Sequence, residues 1–369
     1  METNQKYELV NNVVVLYSQL LFMMMMISSF QYLSDAAGYN SNNNINFKVN
    51  VISYGAKADG KTDSTKAFLR AWGAACGSAT AATVYVPRGR FLIKAAMFRG
   101  PCRNRMTVQI DGTLVAPSNH WDLGNSGYWI LFIKLNRLAV NGGTIDANGS
   151  AFWACRRSRK NNCPQTHLVI NSCNNVLVRN VKLIAPDQSP NTDGIHVQGS
   201  NAVTITGATL RTGDDCVSIG PATNNLLITN IKCGPGHGVS IGSLGKEENE
   251  KGVENVTVTN SEFTGSDNGV RIKSWARPSN GFVRNILFQN LLMNNVRNPI
   301  IIDQNYCPTN RGCPRQAVTF DCSASNPCRK IKLQDIKLTY IKNNKATATS
   351  SCKNVAGTSS GILIPSSCL

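Results

Sequence analysis

A repeat of short apolar runs, beginning at residue 167, limits the fold more than any other feature of this chain. His167-Leu-Val-Ile, Gly194-Ile-His-Val, Cys216-Val-Ser-Ile, Gly238-Val-Ser-Ile, Gly269-Val-Arg-Ile, Pro299-Ile-Ile-Ile and Ala317-Val-Thr-Phe follow one another at spacings of 27, 22, 22, 31, 30 and 18 residues. A second run trails each of the first three: Asn175-Val-Leu-Val, Ala202-Val-Thr-Ile and Leu226-Leu-Ile-Thr. Short Val- and Ile-rich segments bounded by Gly and Asn suit strands and are too short for amphipathic helices. A recurring period of this size marks a solenoid, in which each coil buries its apolar face only by stacking on its neighbours. Hairpin turn signals are missing between successive runs, so the pattern predicts a parallel β-helix and not a sandwich. Asn174, Asn201 and Asn225 fall between paired runs, where a tight bend favours the left-handed backbone that Asn tolerates. Strong helix formers are scarce upstream except over residues 64–75. That stretch reads as one N-terminal helix capping the open end of the stack, with Asp63 or Ser64 as N-cap.

Composition narrows the setting. The chain of 369 residues is 42% apolar and 16% charged, enough for a sizeable core. Its net charge of +17 favours polyanionic partners: nucleic acid, anionic lipid or acidic polysaccharide. Residues 13–30 form the one long apolar segment, and Ser34-Asp35-Ala36-Ala37-Gly38 follows it. Residues 1–38 therefore read as a secretory signal and leader removed near Ala37, leaving 39–369 as a single domain with no membrane attachment. A retained anchor is the alternative, because Glu2 and Glu8 face one Lys6 and Tyr17-Ser18-Gln19 interrupts the apolar core. Export and the lack of a recognised module argue against nucleic acid. Thirteen cysteines agree with an oxidising compartment. Pairing by proximity joins Cys76–Cys102, Cys155–Cys163, Cys216–Cys233, Cys307–Cys313, Cys322–Cys328 and Cys352–Cys368, although spacing does not fix connectivity. Cys173 is left over as a small core residue, and no paired CxxC spacing suggests zinc. Asn148-Gly149-Ser150 and Asn255-Val256-Thr257 are glycosylation motifs.

Within the repeat, Asp193, Asp215 and His237 stand 22 and 22 residues apart, so a solenoid stacks them on consecutive coils. Gly-Asp-Asp alone would read as a solvated turn. Ionisable groups stacked one coil apart are a poor structural choice, because like charges facing each other destabilise a sheet. That cost points to chemistry. Adjacent strand residues face opposite sides, so Asp214 and Asp215 share a cleft only if the backbone bends near Gly213. Arg271 and Lys273, two apart on one strand, point outward together while Ile272 points inward. His196 reads as structural, and the Arg156-Arg157-Ser158-Arg159-Lys160 run as a solvated loop.

Four motifs occur in order at coil spacing: Ser189-Pro190-Asn191-Thr192-Asp193-Gly194, Gly213-Asp214-Asp215-Cys216, Gly236-His237-Gly238 and Arg271-Ile272-Lys273. Together with Gly142-Gly143-Thr144-Ile145-Asp146 and Asp303-Gln304-Asn305-Tyr306-Cys307-Pro308, they resemble the plant polygalacturonases from about Phe47 to the C-terminus. The resemblance implies a right-handed parallel β-helix, secreted to the cell wall, that hydrolyses pectin as a monomer without cofactor or metal. It implies Asp214 as general acid, Asp193 and Asp215 as holders and activators of water, and His237 as tuner of the acid. It places Asn191, Arg271, Lys273 and Tyr306 at the substrate, where cations suit a sugar bearing a carboxylate. The chain departs from the family twice, lacking a coil between Cys163 and His167 and another between Pro314 and Ala317. Two other readings stay open. One is a calcium-dependent pectate lyase on the same fold, which would need clustered acidic ligands; the other is a catalytically impaired wall-polysaccharide-binding homologue.

Overall fold

The computed structural model of the protein describes residues 7–9, 13–16, 47–123, 127–147, 166–186, 192–306, 316–340 and 348–369. Strands dominate these segments, and Thr65–Cys76 is the one α-helix among the described residues. Ten strands form a parallel sheet whose neighbours come from successive coils. It runs from Ala96–Arg99 and Tyr128–Ile133 through Thr166–Asn171, Asp193–Gln198, Val217–Ile219, Val239–Leu244, Asn268–Trp275 and Asn298–Tyr306. Val318–Asp321 and Ser350–Lys353 finish it. All seven runs of the sequence repeat lie in this sheet, called here the site sheet. The trailing runs form a second, parallel stack: Asn174–Arg179 on Asn201–Thr206, then Asn224–Thr229, then Val253–Thr264.

Register explains why the runs repeat. Ile170, Val197, Ile219, Ile241, Ile272, Ile302 and Phe320 face one another coil after coil and are all buried. Burying each such side chain contributes about 1.5–3 kcal/mol, and a one-residue slip would turn the whole column to solvent. The alternate column of the same strands, His196, Ser218, Ser240 and Arg271, faces outward in the same register.

Asparagines hold the corner between the two stacks. The Asn174 side chain donates to Asn136, Asn201 to Asn174, Asn225 to Asn201, Asn255 to Asn225 and Asn285 to Asn255, at 2.8–3.3 Å. The left-handed residue is not always the asparagine the spacing suggests. It is Asn175 and Ala202, one position after Asn174 and Asn201, whereas Asn225 itself has φ 54°. Asn174 and Asn201 serve the ladder by side chain, and the bend follows them.

The helix buries Ala67, Phe68, Ala71, Trp72 and Ala75 against the first coil. Ser64 occupies the N-cap position without capping, and Asp63 Oδ1 instead accepts the Thr65 N–H at 2.9 Å. Four disulfides join Cys76–Cys102, Cys216–Cys233, Cys322–Cys328 and Cys352–Cys368, and Cys173 is free and buried. The pairs Cys155–Cys163 and Cys307–Cys313 lie outside the described residues, as do Asn148 and most of the leader. Within the leader, Tyr7–Leu9 and Val13–Leu16 are strands that lie antiparallel between Val283–Val296 and Cys328–Tyr340.

Candidate active site

The Gly213-Asp214-Asp215 segment precedes its strand, which begins only at Val217. The chain bends there. Gly213 N–H donates to Thr192 Oγ1 at 3.1 Å, and Thr212 Oγ1 donates to the Asp214 carbonyl at 2.8 Å. Buried Cys216, bonded to Cys233, anchors the far side of the bend. Both carboxylates can therefore face one cleft, as the bend at Gly213 predicts.

Asp215 is only 2% exposed, so its charge must be answered locally. Its Oδ1 accepts from Ser240 Oγ at 2.7 Å and from Arg271 Nη2 at 2.9 Å, and its Oδ2 accepts from Lys273 Nζ at 2.9 Å. Arg271 Nε also donates to Ser240 Oγ at 3.1 Å, which fixes the serine as donor toward Asp215. Lys273 is itself buried. The two cations thus face a carboxylate of the protein, a partner that the sequence reading of them as substrate ligands did not include.

Asp214 is held differently. Its Oδ1 accepts from His237 Nδ1 at 3.0 Å and from the Asp215 N–H at 2.8 Å. His237 N–H donates to the Asp214 carbonyl at 2.7 Å, so the two coils are tied at backbone and side chain alike. Glycines flank the histidine out of necessity. Gly238 has φ 82°, and a Cβ there would sit 2.2 Å from the Gly269 carbonyl oxygen. On the other side, His237 Nε2 lies 3.7 Å from Asp267 Oδ2.

Electrostatics separate the three carboxyls. Burial, then the charges of Asp215 and Asp214, push Asp193 well above the usual carboxylate range. Burial alone would raise Asp214 too, but the hydrogen bond and charge of His237, with Lys273, hold it at about 2. For His237, burial works downward, and the Asp214 hydrogen bond with the charges of Asp214 and Asp215 outweighs it, so its pKa rises. The opposed shifts favour a proton on Asp193 and on His237 over one on Asp214. The resemblance puts the acid proton on Asp214, one hydrogen bond away from His237.

Asp214, Asp215 and His237 bring ligand atoms within 4.8 Å of one another, the spacing of a metal site. Their chemistry argues for a different use, because both Asp215 oxygens already bind cationic side chains and His237 Nδ1 faces Asp214. Tyr306 packs edge-on to Trp275, and its ring centroid lies 5.4 Å from Lys273 Nζ. Asn191 lies outside the described residues. Sequence reading overlooked Ser218, Ser240 and the place of His196. Their own spacing of 22 and 22 residues, the period of Asp193, Asp215 and His237, was the signal available.

The family model for glycosyl hydrolases family 28 matches residues 76–165 and 158–316. This chain belongs to glycosyl hydrolase family 28. A polygalacturonase of Prunus persica is 49% identical over 368 aligned positions, covering 87% of this chain and 93% of that protein. An exopolygalacturonase of Platanus acerifolia is 38% identical, covering 86% and 96%. The solved structure of a hyperthermoactive exopolygalacturonase from Thermotoga maritima matches with a TM-score of 0.60 over 78% of this chain and 86% of that one, at 18% identity. That last likeness concerns the family 28 fold alone.

Proposed function

We propose that this family 28 protein is a polygalacturonase that cleaves α-1,4-galacturonosyl linkages of pectin by inversion. The observation that carries the reading is the division of labour between neighbouring carboxyls: Asp214 paired to His237, and Asp215 neutralised by Arg271 and Lys273. Asp214 and His237 act as one acid. The histidine passes its proton to Asp214, which delivers it to the leaving glycosidic oxygen. Asp193 and Asp215 hold the attacking water, and Asp193 takes its proton once ionised. A base of raised pKa suits that task, since general bases work best near the operating pH.

Inversion does not follow from carboxyl separation. The nearest approach of Asp214 and Asp215, within 4.8 Å, is shorter than the roughly 6.5–9.5 Å between carboxyl groups usual for inverting enzymes. It follows from the roles assigned above, in which Asp193 and Asp215 hold a water opposite the acid, so that water and not a carboxylate attacks the sugar carbon. Proton NMR of the earliest product should show the anomer opposite to the substrate linkage, and initial retention would reject the mechanism. A calcium lyase reading loses support because the buried acid here is already bound to Arg and Lys. Arg271, Lys273, Tyr306 and Asn191 would line the substrate, and the net charge of +17 would draw in an acidic polysaccharide. The same reading makes the protein a monomeric, right-handed β-helix capped by its N-terminal helix. It is exported to the cell wall after loss of residues 1–38, without nucleic acid or membrane as partner. Product sizing on polygalacturonate would separate internal from terminal cleavage.

A further inference from the structure

Val217, Val239, Val270 and Ile300 face one another on successive coils. Three residues ahead of each stand Asp214, Gly236, Asp267 and Arg297. Gly236 is the one member of that row without a side chain, and the ring of its neighbour His237 lies across the gap. His237 Nδ1 is 3.0 Å from Asp214 Oδ1, and Nε2 is 3.7 Å from Asp267 Oδ2, an ion-pair contact longer than a hydrogen bond. Backbone fixes the ring on both sides. His237 N–H donates to the Asp214 carbonyl and Asp267 N–H to the Gly236 carbonyl, each at 2.7 Å. Asn268 Nδ2 donates to the His237 carbonyl at 3.2 Å. A Cβ at Gly236 would sit 2.8 Å from the Asp214 carbonyl oxygen, so the gap cannot be filled from within the row. Beyond it, Arg297 Nη1 stands 3.5 Å from Asp267 Oδ1. The guanidinium thus faces one oxygen of Asp267 and the imidazole the other.

The two ring nitrogens therefore have different duties. Nδ1 shares a hydrogen bond with Asp214 whichever of the two carries the proton between them. When that proton moves, one Nδ1–H bond breaks, one Asp214 O–H bond forms, and Nε2–H stays intact. With Asp214 ionised, a neutral ring keeps Nδ1–H against it, so the proton that the pair loses as pH rises is the one on Nε2. We infer that Asp267, steadied by Arg297, is a positioning residue that holds the Nε2–H edge of His237 and so keeps the acid pair loaded. This rests on the reading of Asp214 and His237 as the acid.

Charges converge on the ring from both neighbouring coils. Asp214 and Asp215 face it from the preceding coil and favour the imidazolium. Asp267 and Arg271 face it from the following one, the first favouring the imidazolium and the second opposing it. Lys273 acts on the pair through Asp214, and Arg297 through Asp267. Asp267 is 48% exposed, so solvent screens its charge and its share is a fraction of a pKa unit.

The test uses the whole protein and two readouts. His237→Gln assigns the ring's signals among the four histidines. In ¹⁵N NMR of the parent imidazole, Nε2 should carry the titration of His237 and Nδ1 should shift little. Asp267→Asn should lower the midpoint by about half a unit. The alkaline limb of kcat/KM reports the same free-enzyme acid and should move down equally, with KM little changed. Asp267→Glu should restore both. A midpoint or a limb that Asp267→Asn leaves in place would overturn the inference, as would a titration carried by Nδ1. Full activity in His237→Gln would instead sink the reading of the acid pair. The NMR midpoint does not depend on turnover, so the two failures are distinguishable.

Discussion

The stack is joined across two short connections, and they behave differently. At the upstream joint, between Asp146 and Thr166, every row continues. Tyr128–Ile133 pairs with Thr166–Asn171, Asn136–Asn141 with Asn174–Arg179, and Thr144–Asp146 with Lys182–Ile184. At the downstream joint, between Tyr306 and Val318, the site sheet alone continues among the described residues, Asn298–Tyr306 pairing with Val318–Asp321. In the other stack Val283–Val296 and Cys328–Tyr340 both pair with the two leader strands lying between them. A solenoid tolerates the loss of a whole coil because each coil touches only its neighbours. Loss of one pass and not the next leaves two facing edges with unpaired backbone, which need a substitute strand. The active site escapes both joints because it is built on the one sheet that crosses them unbroken.

With the site on that sheet, catalysis and folding should come apart under mutation. Asp214→Asn removes the acid from the unbroken sheet and should lower kcat about 10²- to 10⁴-fold, with a melting transition close to that of the parent. A variant that loses activity by unfolding would break the contrast. Lys273→Ala probes the same sheet from below. It strips one partner from an Asp215 that is 2% exposed, and breaking a buried pair in this way costs about 3–5 kcal/mol. Both KM and stability should suffer, visible together as raised KM and a lowered melting temperature. Normal melting would mean that Arg271 and Ser240 alone satisfy Asp215.

The division between joints also marks what the sequence discloses. The seven runs and their period were legible because inward Val and Ile recur at coil spacing, and Asp193, Asp215 and His237 inherit that spacing. Lys273 is 58 residues from Asp215, and no local pattern reveals that a cation turns back to a carboxylate of its own chain. Ser218 and Ser240 are marked by their coil spacing alone, because serine as a residue type is ordinary in a strand. The leader strands were illegible for another reason. An apolar segment near the N-terminus reads as an export signal, and only the gap in a remote stack gives it a second use.

Those two uses exclude each other in one molecule, and a shortened chain makes the difference measurable. A protein beginning at residue 47 should keep the site sheet and its activity on short oligogalacturonates. The edges of Val283–Val296 and Cys328–Tyr340 would then lose their partners. Limited proteolysis and hydrogen exchange should show faster opening in residues 316–369 and unchanged protection around Val217–Ile219. Equal protection in the two regions would show that the downstream stack closes on itself without the leader.

The smallest effect concerns pH, and it distinguishes the two regions by the kind of bond that holds each. Asp214 has its folded pKa lowered to about 2, so its contribution is present above the unfolded value of about 3.9 and is lost as pH falls through the folded one. His237 is raised, so its contribution is present below the unfolded value of about 6.5 and is lost as pH rises through the folded one. The pair therefore stabilises most between about pH 4 and 6.5. His237 is 36% exposed, and solvent screening keeps its share small. Melting temperatures of the parent and of His237→Gln should differ most inside that window and converge on either side. The downstream joint is closed by backbone hydrogen bonds, which do not titrate, so opening of residues 316–369 should follow a flatter course with pH. A parent–variant difference that stays constant from pH 3 to 8 would show that His237 supports the coil by packing, and that charge does not set the site sheet apart from the joint.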